Sequence, residues 1–221
     1  MSAADDWKKS SFGEKLLNKD GASKSTLSLL EKKDLVIIYF SASWCPPCQK
    51  FTPMLKSFYE ECCVDSKTEI VFVSSDRDFE SFNKYFAKMP WTAMPLDGTY
   101  EIKKKMAEKF KVTGIPHVVV MNLSTGKPMF VSDTARNDLL EIAGSKAKGD
   151  SLIAEWKNTK GVHIDEATFS SERSLLNKAF WFLLKNPMYV FGIFYMCRKF
   201  LKYLQDLGEE DAIEGDVETE L

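Results

Sequence analysis

The chain has 221 residues, of which 44% are hydrophobic, 28% charged and 13% aromatic. That is enough apolar material for one sizeable core, and it excludes wholesale disorder, a polytopic membrane protein and a fold that depends on disulfide staples. The net charge of -2 is unevenly placed: residues 1–174 are near neutral, residues 175–204 carry five basic groups and no acid, and residues 205–221 carry eight acids and no base. The body therefore offers no electrostatic footprint for nucleic acid.

The N-terminus has no apolar run of signal length and carries Asp5 and Asp6, so neither secretory entry nor a transit peptide is expected at this end. The continuous apolar run Leu35–Phe40 predicts a strand buried on both faces. Cys45-Pro-Pro-Cys48 follows it, and Phe51, Met54, Leu55, Phe58 and Tyr59 then recur at helical spacing. Ile70–Val73 predicts a second buried strand, and Asp78 is placed to cap a helix carrying Phe82, Tyr85 and Phe86. A further helix is expected over Tyr100–Phe110, a third strand over His117–Met121, a turn at Asn122–Gly126, a short strand near Met129–Val131 and a helix near Thr134–Ala143. A short helix is expected around Leu152–Trp156. This order implies an α/β domain with a central mixed sheet and helices on both faces. The division expected is a globular domain over 1–160, a linker over 161–174, a hydrophobic, basic-flanked helix over 175–204 and an acidic, disordered tail over 205–221.

The five cysteines, Cys45, Cys48, Cys62, Cys63 and Cys197, are an odd and uneven set, unlike a secreted disulfide framework. Cys45 and Cys48 stand between a buried strand and an amphipathic helix. Pro46 suits the first helical turn, where its missing N–H has no intrahelical partner to lose. Cys45 then lies at the helix N-terminus, where free N–H groups and the helix dipole favour a thiolate. Cys48 is one turn on, on the same face, and can resolve a mixed disulfide formed at Cys45. The other readings of the pair are a zinc half-site or two inert core cysteines. Structural zinc takes about four ligands, and there is no second CxxC, while His117 and His163 are isolated; no metal is expected. Cys62 and Cys63 read as small core or surface residues, and Trp91 as core. Ile115-Pro116 precedes the third strand and is compatible either with a cis peptide at a tight turn or with an ordinary strand-start proline.

Taken together, these residues resemble the thioredoxin superfamily: strand, WCxxC, helix, then Ile-Pro before a strand. Tyr39-Phe-Ser-Ala-Ser-Trp-Cys-Pro-Pro-Cys48, Phe51-Thr-Pro53 and Tyr85-Phe-Ala-Lys-Met-Pro-Trp91 are similar to the tryparedoxin and nucleoredoxin branch, over about residues 12–145. The resemblance implies a thioredoxin-like three-layer fold and a dithiol oxidoreductase with no bound cofactor. It implies trypanothione as reducing co-substrate, and peroxiredoxin, glutathione-peroxidase-type enzymes and ribonucleotide reductase as acceptors. Carried over, Cys45 attacks and Cys48 resolves; Trp44, Pro46, Ile115, a cis Pro116 and Arg136 contact substrate. Thioredoxins carry a buried Asp where this chain has Tyr39, so Asp76, at the end of the second strand, is the candidate for a proton relay. WCPPC in place of WCGPC argues against service by thioredoxin reductase. The alternatives are a nucleoredoxin-like reductase with another electron donor, and a membrane adaptor that uses the domain for binding alone.

Of the 19 residues 179–197, only Lys185, Asn186, Pro187 and Gly192 interrupt an apolar run, which basic residues flank at both ends. About 20 such residues span a bilayer as a helix. This suggests a tail anchor in an outer mitochondrial or endoplasmic reticulum membrane, with residues 175–204 meeting lipid and the redox domain facing the cytosol. The alternatives, suggested by the break at Lys185-Asn-Pro187, are two helices lying on a membrane and packing on protein in a soluble cytoplasmic form. Cys197, beside Arg198 and Lys199, is a candidate for palmitoylation.

Overall fold

The apolar run at residue 35 becomes the centre of the sheet. In the computed structural model, which describes residues 2–142, 144–167 and 198–199, strand β3 (Leu35–Ser41) is buried along its whole length. It is numbered after the hairpin β1 (Lys15–Leu17) and β2 (Ser23–Ser25). It pairs in parallel with β4 (Thr68–Ser74) and antiparallel with β6 (His117–Asn122). β5 (Thr92–Ala93), β7 (Met129–Ser132) and β8 (Val162–His163) complete the sheet, in the order β2-β1-β5-β4-β3-β6-β7-β8. This is the expected mixed sheet. It extends to His163, past the domain end expected at 160, because β8 pairs with β7 and Ile164 is buried behind it.

Alternation along β3 divides the core into two layers. Leu35, Ile37 and Tyr39 face α3 (Pro46–Phe58), α4 (Phe79–Phe86), α6 (Ala135–Ile142) and α7 (Lys146–Asn158). Val36, Ile38 and Phe40 face α1 (Ala3–Phe12) and α5 (Tyr100–Lys109), and the short α2 (Thr26–Leu29) follows β2. Phe72 stacks on Phe82 and Phe86 of α4, and Trp91 is buried edge-on to Tyr39. Each such side chain contributes ~1.5–3 kcal/mol of hydrophobic stabilisation relative to exposure.

The local reasons for these elements are plain. Asp78 caps α4, its side chain accepting from Ser81 N–H at 2.7 Å. Ser2 and Asp5 form a capping box that starts α1, whose Trp7 and Phe12 are buried. α3 runs on into a π-helical turn, Tyr59–Cys63, that buries both Cys62 and Cys63. α7 is a 13-residue helix where a short one over 152–156 was expected. Gly149 lies inside it because the helix passes close to the π-helical turn: a Cβ there would fall 2.6 Å from Cys62 Sγ.

Among the described residues, no helix is long and apolar enough to cross a membrane. The apolar stretch 179–197, Cys197 and the acidic tail 205–221 lie outside the described residues.

Candidate functional site

β3 ends at Ser41, and α3 starts five residues later. The turn between them carries Cys45 as the N-cap of α3, with Pro46 and Pro47 exposed in the first helical positions. Cys45 and Cys48 are joined by a disulfide, with Cα atoms 5.2 Å apart. Cys45 Sγ accepts the Cys48 backbone N–H at 3.3 Å. The same donor is available to a Cys45 thiolate once the bond is reduced, and together with the helix dipole it favours that thiolate. Cys45 is 4% exposed and Cys48 fully buried, so an incoming sulfur meets Cys45 first.

The Ile115–Pro116 peptide bond is cis. It brings the Ile115 carbonyl oxygen to 3.7 Å from Cys45 Sγ, and Ile115 packs with Ala42 on the two cysteines. Trp44 is 60% exposed and donates its indole N–H to Ser75 O at 3.3 Å, so the side chain is oriented and remains accessible. The structure thus brings together Trp44, Cys45, Pro46, Cys48, Ile115 and Pro116.

Asp76 is buried at the end of β4, and its contacts are with the loop. Oδ1 accepts both the N–H and the hydroxyl of Ser43 at 2.8 Å, and Oδ2 accepts the hydroxyl of Ser74 at 2.8 Å. In this arrangement the carboxylate fastens the cysteine loop to the sheet. Arg136 stands at the second position of α6 with its Nε buried and without a hydrogen-bond partner. Among the described residues no hydrogen bond or ion pair ties it to the cysteine loop.

Beneath the disulfide lies a buried hydroxyl network that no local sequence pattern signals. The Thr52 hydroxyl donates to the Cys48 carbonyl at 2.9 Å. It also meets Tyr39 Oη at 2.9 Å and Tyr85 Oη at 2.6 Å. A hydroxyl has one proton to give, and a carbonyl can only accept. Both tyrosines therefore donate to Thr52, and Ser41 Oγ, 3.0 Å from Tyr85 Oη, donates to Tyr85. Every hydroxyl proton in the network is assigned. Burial pushes the Tyr39 hydroxyl well above the usual tyrosine range, so it remains a donor. Where thioredoxins hold a carboxylate, this chain has a saturated neutral network.

Other groups divide by environment. Burial pushes the Cys62 thiol up to about 11, with the nearby Asp150 carboxylate adding to the effect, and burial raises Cys63 too. Both remain protonated and unreactive at neutral pH. Burial lowers His117, with Asp133 opposing it, and its Nε2 has no hydrogen-bond partner. Among the described residues, no group of His, Cys, Asp and Glu is arranged to hold a metal ion.

A family profile described as thioredoxin-like matches residues 33–127. The chain is 40% identical to tryparedoxin of Trypanosoma brucei brucei over 126 residues, which cover 57% of this chain and 83% of that protein. It is 48% identical to probable nucleoredoxin 1 of Arabidopsis thaliana over 107 residues, 48% of this chain and 18% of that much longer relative. Among solved structures it is similar to tryparedoxin II of C. fasciculata complexed with glutathionylspermidine. That match has a TM-score of 0.52 and 33% identity, covering 58% of this chain and 85% of that one.

Proposed function

The chain belongs to the thioredoxin-like family, on the branch of the tryparedoxins and nucleoredoxins, and from that premise we propose how its Cys45–Cys48 dithiol works and with what. It is a dithiol oxidoreductase, and the Cys45–Cys48 disulfide is its oxidised centre. The observation that carries the mechanism is Cys45 at the helix N-cap, its Sγ accepting the Cys48 N–H.

In the reduced protein the Cys45 thiolate attacks one sulfur of a substrate disulfide. That S–S bond breaks, a mixed disulfide forms at Cys45, and the departing thiolate takes a proton from solvent. Cys48, having lost its own proton, then attacks Cys45 Sγ and expels the second substrate thiolate. The substrate has gained two electrons, and the Cys45–Cys48 disulfide has re-formed. The Ile115 carbonyl beside Cys45 is an acceptor for the backbone N–H of an approaching substrate. Exposed Trp44 and Pro46 give that substrate an apolar surface, Arg136 is a cationic contact for a carboxylate, and Asp76 is the candidate group for moving the Cys48 proton.

We take trypanothione as the reductant, a dithiol that leaves as its own disulfide. The identity with tryparedoxin and the neighbour solved with glutathionylspermidine support this. Peroxiredoxins, glutathione-peroxidase-type enzymes and ribonucleotide reductase are the acceptors this reading names. The 48% identity to a nucleoredoxin favours a second reading, the same chemistry with another electron donor. A membrane partner for residues 175–204 rests on their sequence alone.

Two measurements test the mechanism. Cys45→Ser should abolish turnover, while Cys48→Ser should accumulate a mixed disulfide visible by mass spectrometry; full activity of Cys45→Ser would refute it. Comparing trypanothione, glutathione and thioredoxin reductase as reductants of the Cys45–Cys48 disulfide separates the two donor readings.

A further inference from the structure

The stretch Tyr85–Trp91 contains residues that burial explains and two, Ala87 and Lys88, that it does not. Tyr85, Phe86, Met89 and Trp91 are core, whereas Lys88 is exposed. Lys88, in the turn just past α4, continues a stripe that Ser81, Lys84 and Tyr85 form on one face of that helix. Across from it α3 presents Gln49, Thr52, Pro53 and Lys56 at the same spacing. The two stripes wall a groove made of two depressions of about 280 and 490 Å³, which share Gln49, Tyr85 and Lys88. Ser43, two residues before Cys45, lines its upper end. The Gln49 side chain crosses there and donates to the Ser43 carbonyl.

The lining holds three lysines and no acid. Lys56 has a loose pairing, 3.8 Å from Glu60 on the next turn. Thr52 and Tyr85 form an uncharged floor whose hydroxyls are already satisfied within the network described above.

We propose that this groove between α3 and α4 docks an acidic, extended segment of the protein whose disulfide is reduced, beside the cysteine loop. The proposal rests on the reading that Cys45 attacks a protein disulfide. Its support is charge complementarity together with continuity with the cysteine loop. A row of like charges beside a reactive centre steers an oppositely charged partner and raises its rate of encounter.

The test uses the full chain and two synthetic disulfide peptides, identical except for four Glu or four Gln beside the disulfide. Hydroxyethyl disulfide, small and neutral, reports the chemistry alone. The wild type should reduce the Glu peptide with a kcat/KM about tenfold above that for the Gln peptide at low salt. The difference should vanish at 1 M salt, where charges are screened within ~3 Å. Lys56→Gln, Lys84→Gln and Lys88→Gln combined should remove the preference and leave hydroxyethyl disulfide and the Gln peptide unchanged. A control with the same loss of charge at Lys15, Lys19 and Lys24, exposed on the β1–β2 hairpin, should keep it.

A preference that survives in the groove variant, or that falls equally in the control, overturns the docking proposal while the redox reading stands. Dimerisation that the groove variant loses would give the groove to a second copy and also overturn it. Failure of the wild type to reduce any of the three disulfides would instead overturn the redox reading itself.

Discussion

Thr52→Val removes a hydroxyl that three groups depend on while nearly preserving volume. In the protein that hydroxyl accepts from Tyr39 and Tyr85 and donates to Cys48 O, and the site is 4% exposed. The Cys48 carbonyl loses a supplementary bond, which is cheap. Tyr39 loses its acceptor in a fully buried position, and Tyr85 loses the acceptor for its own proton. A buried donor left unmade costs roughly 1–3 kcal/mol, so partial rearrangement of two of them gives an expected loss of about 2–4 kcal/mol. Urea unfolding of the oxidised protein measures it, with the slope checked for constancy. In a Tyr39→Phe background one orphaned donor no longer exists, and the loss should shrink by about 1–2 kcal/mol, a coupling read from the double-mutant cycle. A loss under 0.5 kcal/mol in the single variant, or strict additivity in the double, would refute the proton assignment.

Gly149→Ala should destabilise by about 1–3 kcal/mol despite better helix propensity, because the new Cβ would lie 2.6 Å from Cys62 Sγ. In a Cys62→Ala background the same change should become neutral or stabilising, and thermal unfolding of the four proteins decides it. Burial lowers Lys103 to about 8, with the Asp76 carboxylate opposing the shift. Below pH 8 both states hold the proton, and the folded state bears the full cost of the buried charge. Between pH 8 and 10.5 the unfolded state binds more protons, so stability rises with pH. Lys103→Met should therefore gain most at pH 7, by about 1–2 kcal/mol after solvent screening, and lose that advantage by pH 10.5; a gain independent of pH would count against it. For the segment 179–197, alkaline carbonate extraction of membranes from cells expressing the full chain separates the readings: a spanning helix stays in the pellet, and complete release would end the spanning interpretation.

Long-range packing decided which parts of this molecule could be read from its letters. β3, β4 and β6 announced themselves because strands buried on both faces are continuous apolar runs. The WCPPC turn was legible because Pro46 and a strand-to-helix junction specify its geometry locally. The Lys15–Leu17 and Ser23–Ser25 strands were not, since three residues carry no periodicity and neighbouring chain supplies their order. α1 has a sequence signal in Ser2, Asp5, Trp7 and Phe12, but a short capped segment at a chain end is also what a targeting segment can look like. α7 was underestimated because Gly149 looks like a breaker until Cys62 is seen against it. At the site, Tyr39 was noticed as a departure, but its partners Thr52 and Tyr85 lie 13 and 46 positions away, and only the fold joins them. Ile115-Pro116 left two conformers open because a dipeptide cannot choose between them, and the packed structure has the cis one.

β3 is laddered on both sides, seven residues against β4 and six against β6. A strand held on both edges cannot slide or peel without breaking two rows of hydrogen bonds at once. β3 is thereby held in place, and redox-linked movement is expected in the turn and the first helical winding rather than in the strand. Amide hydrogen exchange along 35–41 should be equally slow in both redox states, with differences gathered at 43–49. On that expectation the scaffold presents nearly the same outline in both redox states, and relative reduction potentials set the direction of electron flow.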